Sequence, residues 1–486
     1  MKSVVMIAHS FPPEGNAGAY RPLRFVRHLR ALGWQPSVIT FKAELYERYD
    51  PGLLALVPDG MQVLRIGSRD PWQAIQTWRA RRSQAKISAV AAPTDARIRA
   101  SRNARMRSFL RNVVRKTEAC CYHPDLAMGW IGPAVQTTLE LCSRERPDVL
   151  WATAGPVSSF LVAERVSRAT GVPYVLDFRD SWTITYNEFD ETRPAWAKYL
   201  DRQRMYKLLQ KAHAVVFRFA TEAECYWRLY RGALKTSQIH LIPNGYEGTI
   251  EEFSAVKGER CHVLYTGTVS DYRYDTLLEA LRVLKELVPD QAKKLSLHFV
   301  GEGSDALCDR SGAMGLADLI TARDAVANHE ITRMTRAADA LLILGRPPTM
   351  RGHELFAGAK LFGYLKAGRP IVGVLPADET RKILQRVGVP TVADADSVPE
   401  IVAVIEKVLD AWSHDKLASL VPDRVACEHY SAERQSAALV RALEGRPAAD
   451  AFVPESSEIP PSLKHEFFAR SSERSAWYRI LSPVAK

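Results

Sequence analysis

Val4-Val-Met-Ile-Ala8-His-Ser-Phe11-Pro-Pro-Glu-Gly15-Asn-Ala-Gly18-Ala-Tyr-Arg21-Pro is a short β-rich run followed by a glycine-bearing loop. A helical pattern comes next, with Leu23, Val26, Leu29 and Leu32 at helical spacing and Gly33 at its end, and then a second strand from Ser37 to Thr40. Strand, loop, helix and strand in this order form the unit of a parallel sheet, because a parallel neighbour is reached only through a crossover. Gly15 and Gly18 either make a tight turn or let the backbone approach a ligand. Asn16 and Arg21 flank the helix start, where unpaired N–H groups attract anions.

The unit recurs along the chain. Asp148–Thr153 reads as a strand leading into Gly155-Pro156 and a helix through Leu161, Val162 and Val166. Gly171-Val-Pro-Tyr-Val-Leu-Asp177-Phe-Arg179-Asp180-Ser-Trp182 is the next strand. It ends in charges, at the carboxyl end where open α/β sheets bind ligands. Ala214–Phe217 and the run from Ile239 follow, and Pro243-Asn-Gly245 closes this half with a turn signal. The second half starts again at Val263-Leu-Tyr-Thr-Gly267 and continues through strands at Leu295–Val300, Asp318–Arg323, Ala340–Leu344 and Ile371–Val374, then a helix from about Val398 to Trp412. An α/β chain of two doubly wound domains is expected, 1–245 and 246–445. A Pro-, Ser- and Glu-rich tail, 446–486, is expected to be partly disordered, with an apolar end that docks on the first domain.

The composition is that of an ordinary globular protein, 47% hydrophobic and 25% charged. No apolar run has the length of a bilayer span, and seven scattered cysteines form neither a disulfide framework nor a metal-ligand spacing, so a reduced, cytoplasmic protein is expected. The net charge of +11 is matched by one segment, since Arg79–Lys116 holds twelve Lys/Arg and the single acid Asp95. Met106, Phe109, Leu110, Val113 and Val114 repeat there at helical spacing among arginines. The resulting basic helical insert, about 79–118, suits the anionic surface of a membrane. Phe109 alone is aromatic in it, so no stacking platform accompanies the charge and nucleic acid is not the expected partner.

Residues 353–370, His353-Glu-Leu-Phe-Ala-Gly-Ala-Lys360-Leu-Phe-Gly-Tyr-Leu-Lys-Ala-Gly368-Arg-Pro370, read as a loop, a helix and a stop before a strand. Lys360 stands at the helix start, and Arg273 follows the first strand of the second domain. Two cations and a helix dipole would neutralise a diphosphate without a metal. No nucleophile elbow, zinc motif, Walker loop or complete dinucleotide fingerprint is present.

In Phe11–Gly18, Pro173–Trp182, Pro243–Gly245, Tyr265–Thr268 and Lys360–Pro370, taken in this order, the chain resembles the GT-B-fold glycosyltransferases of the family 4 type. The resemblance implies two Rossmann-like domains facing each other across a cleft, an acceptor domain and then a donor domain. It implies retaining transfer from a nucleotide-diphosphate sugar to a glycan or lipid-linked acceptor in polysaccharide or glycolipid assembly, with no metal and no cofactor. Donor contacts fall on Gly267, Thr268, Arg273, Glu354, Lys360 and Leu361, with Arg273 and Lys360 on the diphosphate. The family's paired glutamates fall on Leu355, beside Glu354, and on Gly363. Asp177 and Asp180 would orient the acceptor, and Gly15, Asn16, Gly18, Arg21 and Arg179 would form the acceptor or phosphate loop. A peripheral place on the inner face of the cell membrane follows from the basic insert. Two other readings stand beside this one, a degenerate GT-B protein serving as a scaffold in an assembly complex and a nucleotide-sugar epimerase of the same fold.

Overall fold

Seven strands make the first sheet: β1 (Lys2–Ile7), β2 (Trp34–Phe41), β3 (Gln62–Ile66), β4 (Val149–Thr153), β5 (Tyr174–Phe178), β6 (Ala214–Phe217) and β7 (Ile239–Leu241). They are parallel, in the order β3-β2-β1-β4-β5-β6-β7. The order reverses between β1 and β4, so the loop after β1 opens at the switch point of a doubly wound sheet. Except for the half-buried edge strand β3 the strands are almost wholly buried, which is why they read as continuous apolar runs. This computed structural model describes residues 1–46, 48–69, 122–184, 193–255, 258–270, 272–326, 328–347 and 352–454. The expected basic insert at 79–118 and the tail beyond 454 lie outside the described residues.

The second sheet is also parallel, with β8 (Cys261–Thr266), β9 (Leu295–Val300), β10 (Ile320–Arg323), β11 (Ala340–Leu344), β12 (Ile371–Leu375) and β13 (Val392–Asp394) in the order β10-β9-β8-β11-β12-β13. Its switch point lies between β8 and β11. Helix Asp275–Leu287 and helix Val398–Ser413 bury Leu277, Leu281, Leu284, Ile401, Ile405 and Val408 with Val263, Tyr265 and Phe299 in one core.

The chain divides into two compact units. Among the described residues, the first is Met1–Pro243 joined by the segment that starts at Gln435, and the second runs from Asn244 to Arg434. The sequence pattern alone carries the second domain to 445. In the structure the last turns of helix Ala432–Leu443 instead place Leu439, Ala442 and Leu443 in the first unit's core, with Val4, Leu23, Val149 and Val175. Just beyond it, Glu444 takes the ammonium of Lys2 at 2.9 Å.

Helix Ala17–Leu29 starts at Asn16, whose Oδ1 accepts the Gly18 N–H at 2.8 Å. Its Arg21 is fully enclosed and meets Asp177 of β5, also fully enclosed. Nε and Nη2 of Arg21 donate to the carboxylate at 2.9 and 2.7 Å, while Nη2 and Nη1 also donate to the carbonyls of Ile242 and Pro243 at 2.8 and 3.0 Å. The Thr153 hydroxyl of β4 also donates to Oδ2 of that carboxylate, at 2.7 Å. One guanidinium thus fastens a helix, two strand ends and the turn that closes the first half. Arg21→Met leaves that carboxylate buried and unpaired. It is expected to cost about 3–5 kcal/mol of stability, read as a lowered urea midpoint, and a loss under about 1 kcal/mol would contradict the role.

Candidate functional site

Each unit carries its own cluster at the carboxyl ends of its strands. In the first, Arg179 follows β5 and lies half-buried across two helix starts. Its Nε donates to the Ala154 carbonyl at 3.0 Å, Nη2 donates to the Gly155 carbonyl, and Asp180 pairs with Nη2 at 3.3 Å. A Cβ on Gly18 would lie 2.0 Å from Arg179 Nη1, and one on Gly155 2.1 Å from Nη2 and from Asp180 Oδ2. The side chain that lies against Gly18 is therefore the protein's own guanidinium. Gly15 is zipped to the neighbouring loop, its N–H donating to the Arg48 carbonyl at 2.9 Å.

The expected site residues separate on burial. Gly18, Arg179 and Asp180 come together, and Asp180 is half exposed. Asp177 and Arg21 are a correction. They are sealed in the pair described above, so neither reaches an acceptor or a phosphate; Asp177 shares the β5 face of Val175, which points into the core. Asn16 is occupied as a helix cap.

Three further groups stand in this region without a motif of their own. His9, two residues beyond β1, stacks on Phe41 at 4.4 Å and meets Trp130 edge-on, and its Nε2 is buried with no hydrogen-bond partner. Burial and the nearby Arg179 charge push its imidazole down to about 3, so it is neutral at physiological pH. Its place at a strand end was the available signal. Asp125 caps helix Ser158–Thr170 from another segment, accepting the Ser158 N–H and hydroxyl at 2.8 and 2.6 Å, and burial raises its carboxyl. Glu222, fully buried, accepts from the Ser181 hydroxyl and holds the loop after β5.

In the second unit Gly267 ends β8 with φ +110°, and Gly301 ends β9 with φ +154°. A Cβ on Gly301 would lie 2.1 Å from the Gly267 carbonyl oxygen, so two loops at the switch point touch through their backbones. Lys360, second residue of helix Ala359–Ala367, brings its ammonium 3.8 Å from the centre of the Tyr265 ring and 4.5 Å from that of Tyr272. It is also the nearest group to a Cβ built on Gly267, at 3.0 Å. Tyr265 donates its hydroxyl to the Thr268 carbonyl at 2.7 Å, and the Tyr364 hydroxyl bonds the Thr266 N–H at 3.0 Å, locking the helix to the strand end.

Lys360, Gly267 and Thr268 are thus brought together. Arg273 is tied to the loop after β11 by its N–H on the Gly345 carbonyl at 3.3 Å, and its guanidinium pairs with Asp396 at 2.5 Å. Glu354 sits in the short turn His353–Leu355, its carboxylate 3.4 Å from His353 Nδ1. Leu361 is a correction: its side chain is in the core and its N–H donates to the Gly358 carbonyl, so it offers a donor nothing. Asp378 caps helix Glu379–Arg386, beside Thr380, whose N–H reaches the Phe356 carbonyl of the same motif. Burial pushes its carboxyl up to about 7. Among the described residues no group of His, Cys, Asp and Glu could hold a metal ion, and no helix is long and apolar enough to cross a membrane.

Residues 17–245 match the family described as Glycosyl transferase 4-like domain. No curated protein matches the chain. Similar solved structures include sucrose-phosphate synthase from Thermosynechococcus elongatus, with TM-score 0.56 and 12% identity over 91% of this chain and 98% of that one. A glycosyltransferase from Rickettsia africae gives 0.55 and 10% over 91% and 98%, and the lipopolysaccharide outer core galactosyltransferase WaaB in its apo form 0.53 and 12% over 91% and 99%. At such identities the likeness is one of fold, the two-domain α/β fold of GT-B glycosyltransferases.

Three outcomes follow from the second unit. Gly301→Ala must push one backbone off another and is expected to destabilise by more than about 1 kcal/mol. Gly363→Ala, where an added Cβ meets nothing, is expected to stabilise by about 0.5–1 kcal/mol in the same urea titration. Asp378 has a folded value above its unfolded one, so its contribution is present at low pH and lost as pH rises from about 4 to about 7. Asp378→Asn should therefore gain about 2–3 kcal/mol relative to the parent between about pH 5 and about pH 8, and equal urea midpoint shifts at both would refute the raised carboxyl.

Proposed function

From the premise that the chain is a glycosyltransferase, with a glycosyl transferase 4-like domain on the GT-B fold, we propose that it moves a sugar from a nucleotide-diphosphate sugar to a glycan or lipid-linked acceptor. The observation that carries the donor side is the Lys360 ammonium held on two tyrosine rings against Gly267, at the switch point of the second sheet. A cation fixed there before the donor arrives costs no reorganisation when the diphosphate leaves, which is where negative charge grows. Arg273 would add a second charge from the loop after β8, exchanging Asp396 for phosphate. Glu354 is the carboxylate we assign to the ribose.

On the acceptor side the exposed Asp180, held by Arg179, would orient the incoming hydroxyl. Retention follows if the departing diphosphate takes that hydroxyl's proton on the face it leaves, so no strong protein base is needed. We assign the reaction to polysaccharide or glycolipid assembly, without a metal, at the inner face of a membrane reached through the basic segment Arg79–Lys116.

Calorimetry across nucleoside diphosphates, followed by a nucleotide-sugar screen with mass-spectrometric detection, tests the reading. One nucleotide is expected to bind selectively. Lys360→Met is expected to lower kcat/KM by about 100-fold with an unchanged fold by circular dichroism, and Arg273→Ala by about 10-fold or more. Binding of no nucleotide would favour a non-catalytic scaffold.

A further inference from the structure

Helix Ala195–Lys211 presents four large apolar side chains to solvent among its polar ones. Ala197, Met205, Leu208 and Leu209 face the core, as an amphipathic helix requires. The opposite face mixes the exposed polar residues Gln203, Lys207 and Gln210 with four large apolar side chains, Trp196 being 52% exposed, Tyr199 41%, Leu200 40% and Tyr206 37%. Single exposed apolar residues are common, but four along one helix face form a patch of the kind that marks an interaction surface.

The charges of the helix indicate the occupant. Lys198, Arg202, Arg204, Lys207 and Lys211 are its cations, and its one acid, Asp201, is buried against Arg193 and His123. Lys207 and Lys211 are exposed. His123 also stacks on Trp196, with centroids 6.3 Å apart, so the outermost aromatic is braced from beneath. Aromatic rings with a polar edge, one aliphatic side chain and the cations of a helix whose own single acid is buried match the chemistry of a headgroup layer: rings settle at the interface while ammonium groups meet lipid phosphates.

We propose that this face, centred on Trp196, Tyr199, Leu200 and Tyr206, docks on an anionic lipid surface. It belongs to the first unit and is separate in sequence from the basic segment Arg79–Lys116. The inference extends the membrane reading given above to a second contact, and the two fail separately.

Flotation of the full chain with phosphatidylcholine vesicles, with and without phosphatidylglycerol, supplies the test. The parent is expected to float with the anionic vesicles and to be released by salt. The triple variant Trp196→Ser, Tyr199→Ser, Leu200→Ser is expected to lose about tenfold or more in partitioning with its melting temperature unchanged. Lys207→Glu with Lys211→Glu should lose binding to the anionic vesicles too. Should the triple variant unfold, quenching by brominated lipid decides in its place: the parent's quenched tryptophan emission should fall in Trp196→Phe. Unchanged flotation of a folded triple variant, or unchanged quenching in Trp196→Phe, overturns the proposal. A parent dimer that the triple variant converts to monomer overturns it in favour of a second copy of the chain. If deleting Arg97–Lys116 abolishes flotation while the triple variant floats normally, the basic segment keeps its role and this face loses it.

Discussion

The enclosed pair of Arg21 and Asp177 is the constraint on which the first unit's binding edge depends. A carboxylate without water needs every lone pair answered, and here the answers come from a helix and from β4, while the same guanidinium takes two carbonyls of the turn after β7. The strand end is thereby fixed, and Arg179 and Asp180, one and two residues past Phe178 of β5, inherit a rigid base. Breaking the buried pair would remove the platform on which the exposed pair stands.

The second unit reaches the same end by other means. Its switch point is built from backbone meeting backbone, Gly301 on Gly267, and from a lysine whose ammonium is set over tyrosine rings. The rings stabilise the charge through their negative faces. Arg273 is held differently. Its partner Asp396 is an exposed carboxylate, a weaker tie that an incoming phosphate can displace.

The interior strands were legible in the sequence because a sheet covered on both faces needs unbroken apolar runs, as in Val4–Ile7 and Ala340–Leu344. The edge strands Gln62–Ile66 and Val392–Asp394 were not, being half-buried and, at Val392–Asp394, only three residues long. At the site, the cluster of charges after β5 was legible and its sorting was not. In a sheet buried on both sides the alternation of faces is invisible, so nothing in Asp177-Phe-Arg179-Asp180 tells which carboxylate is sealed. Lys360 was readable from its helix start, but its tyrosine platform was not, because Tyr272 lies 88 residues away and meets it only in the folded chain. Asp125 and Glu222 act through contacts 33 and 41 residues distant and leave no local pattern.

The return of Leu439, Ala442 and Leu443 to the core of Val4 and Val149 sets a temporal order. On a ribosome the strands of the first unit emerge early, yet the surface those three residues cover stays open until the described residues of the second unit have been made. The described residues of the second unit all fall between Asn244 and Arg434. During translation the first unit must therefore wait with apolar surface uncovered for a segment about two hundred residues downstream.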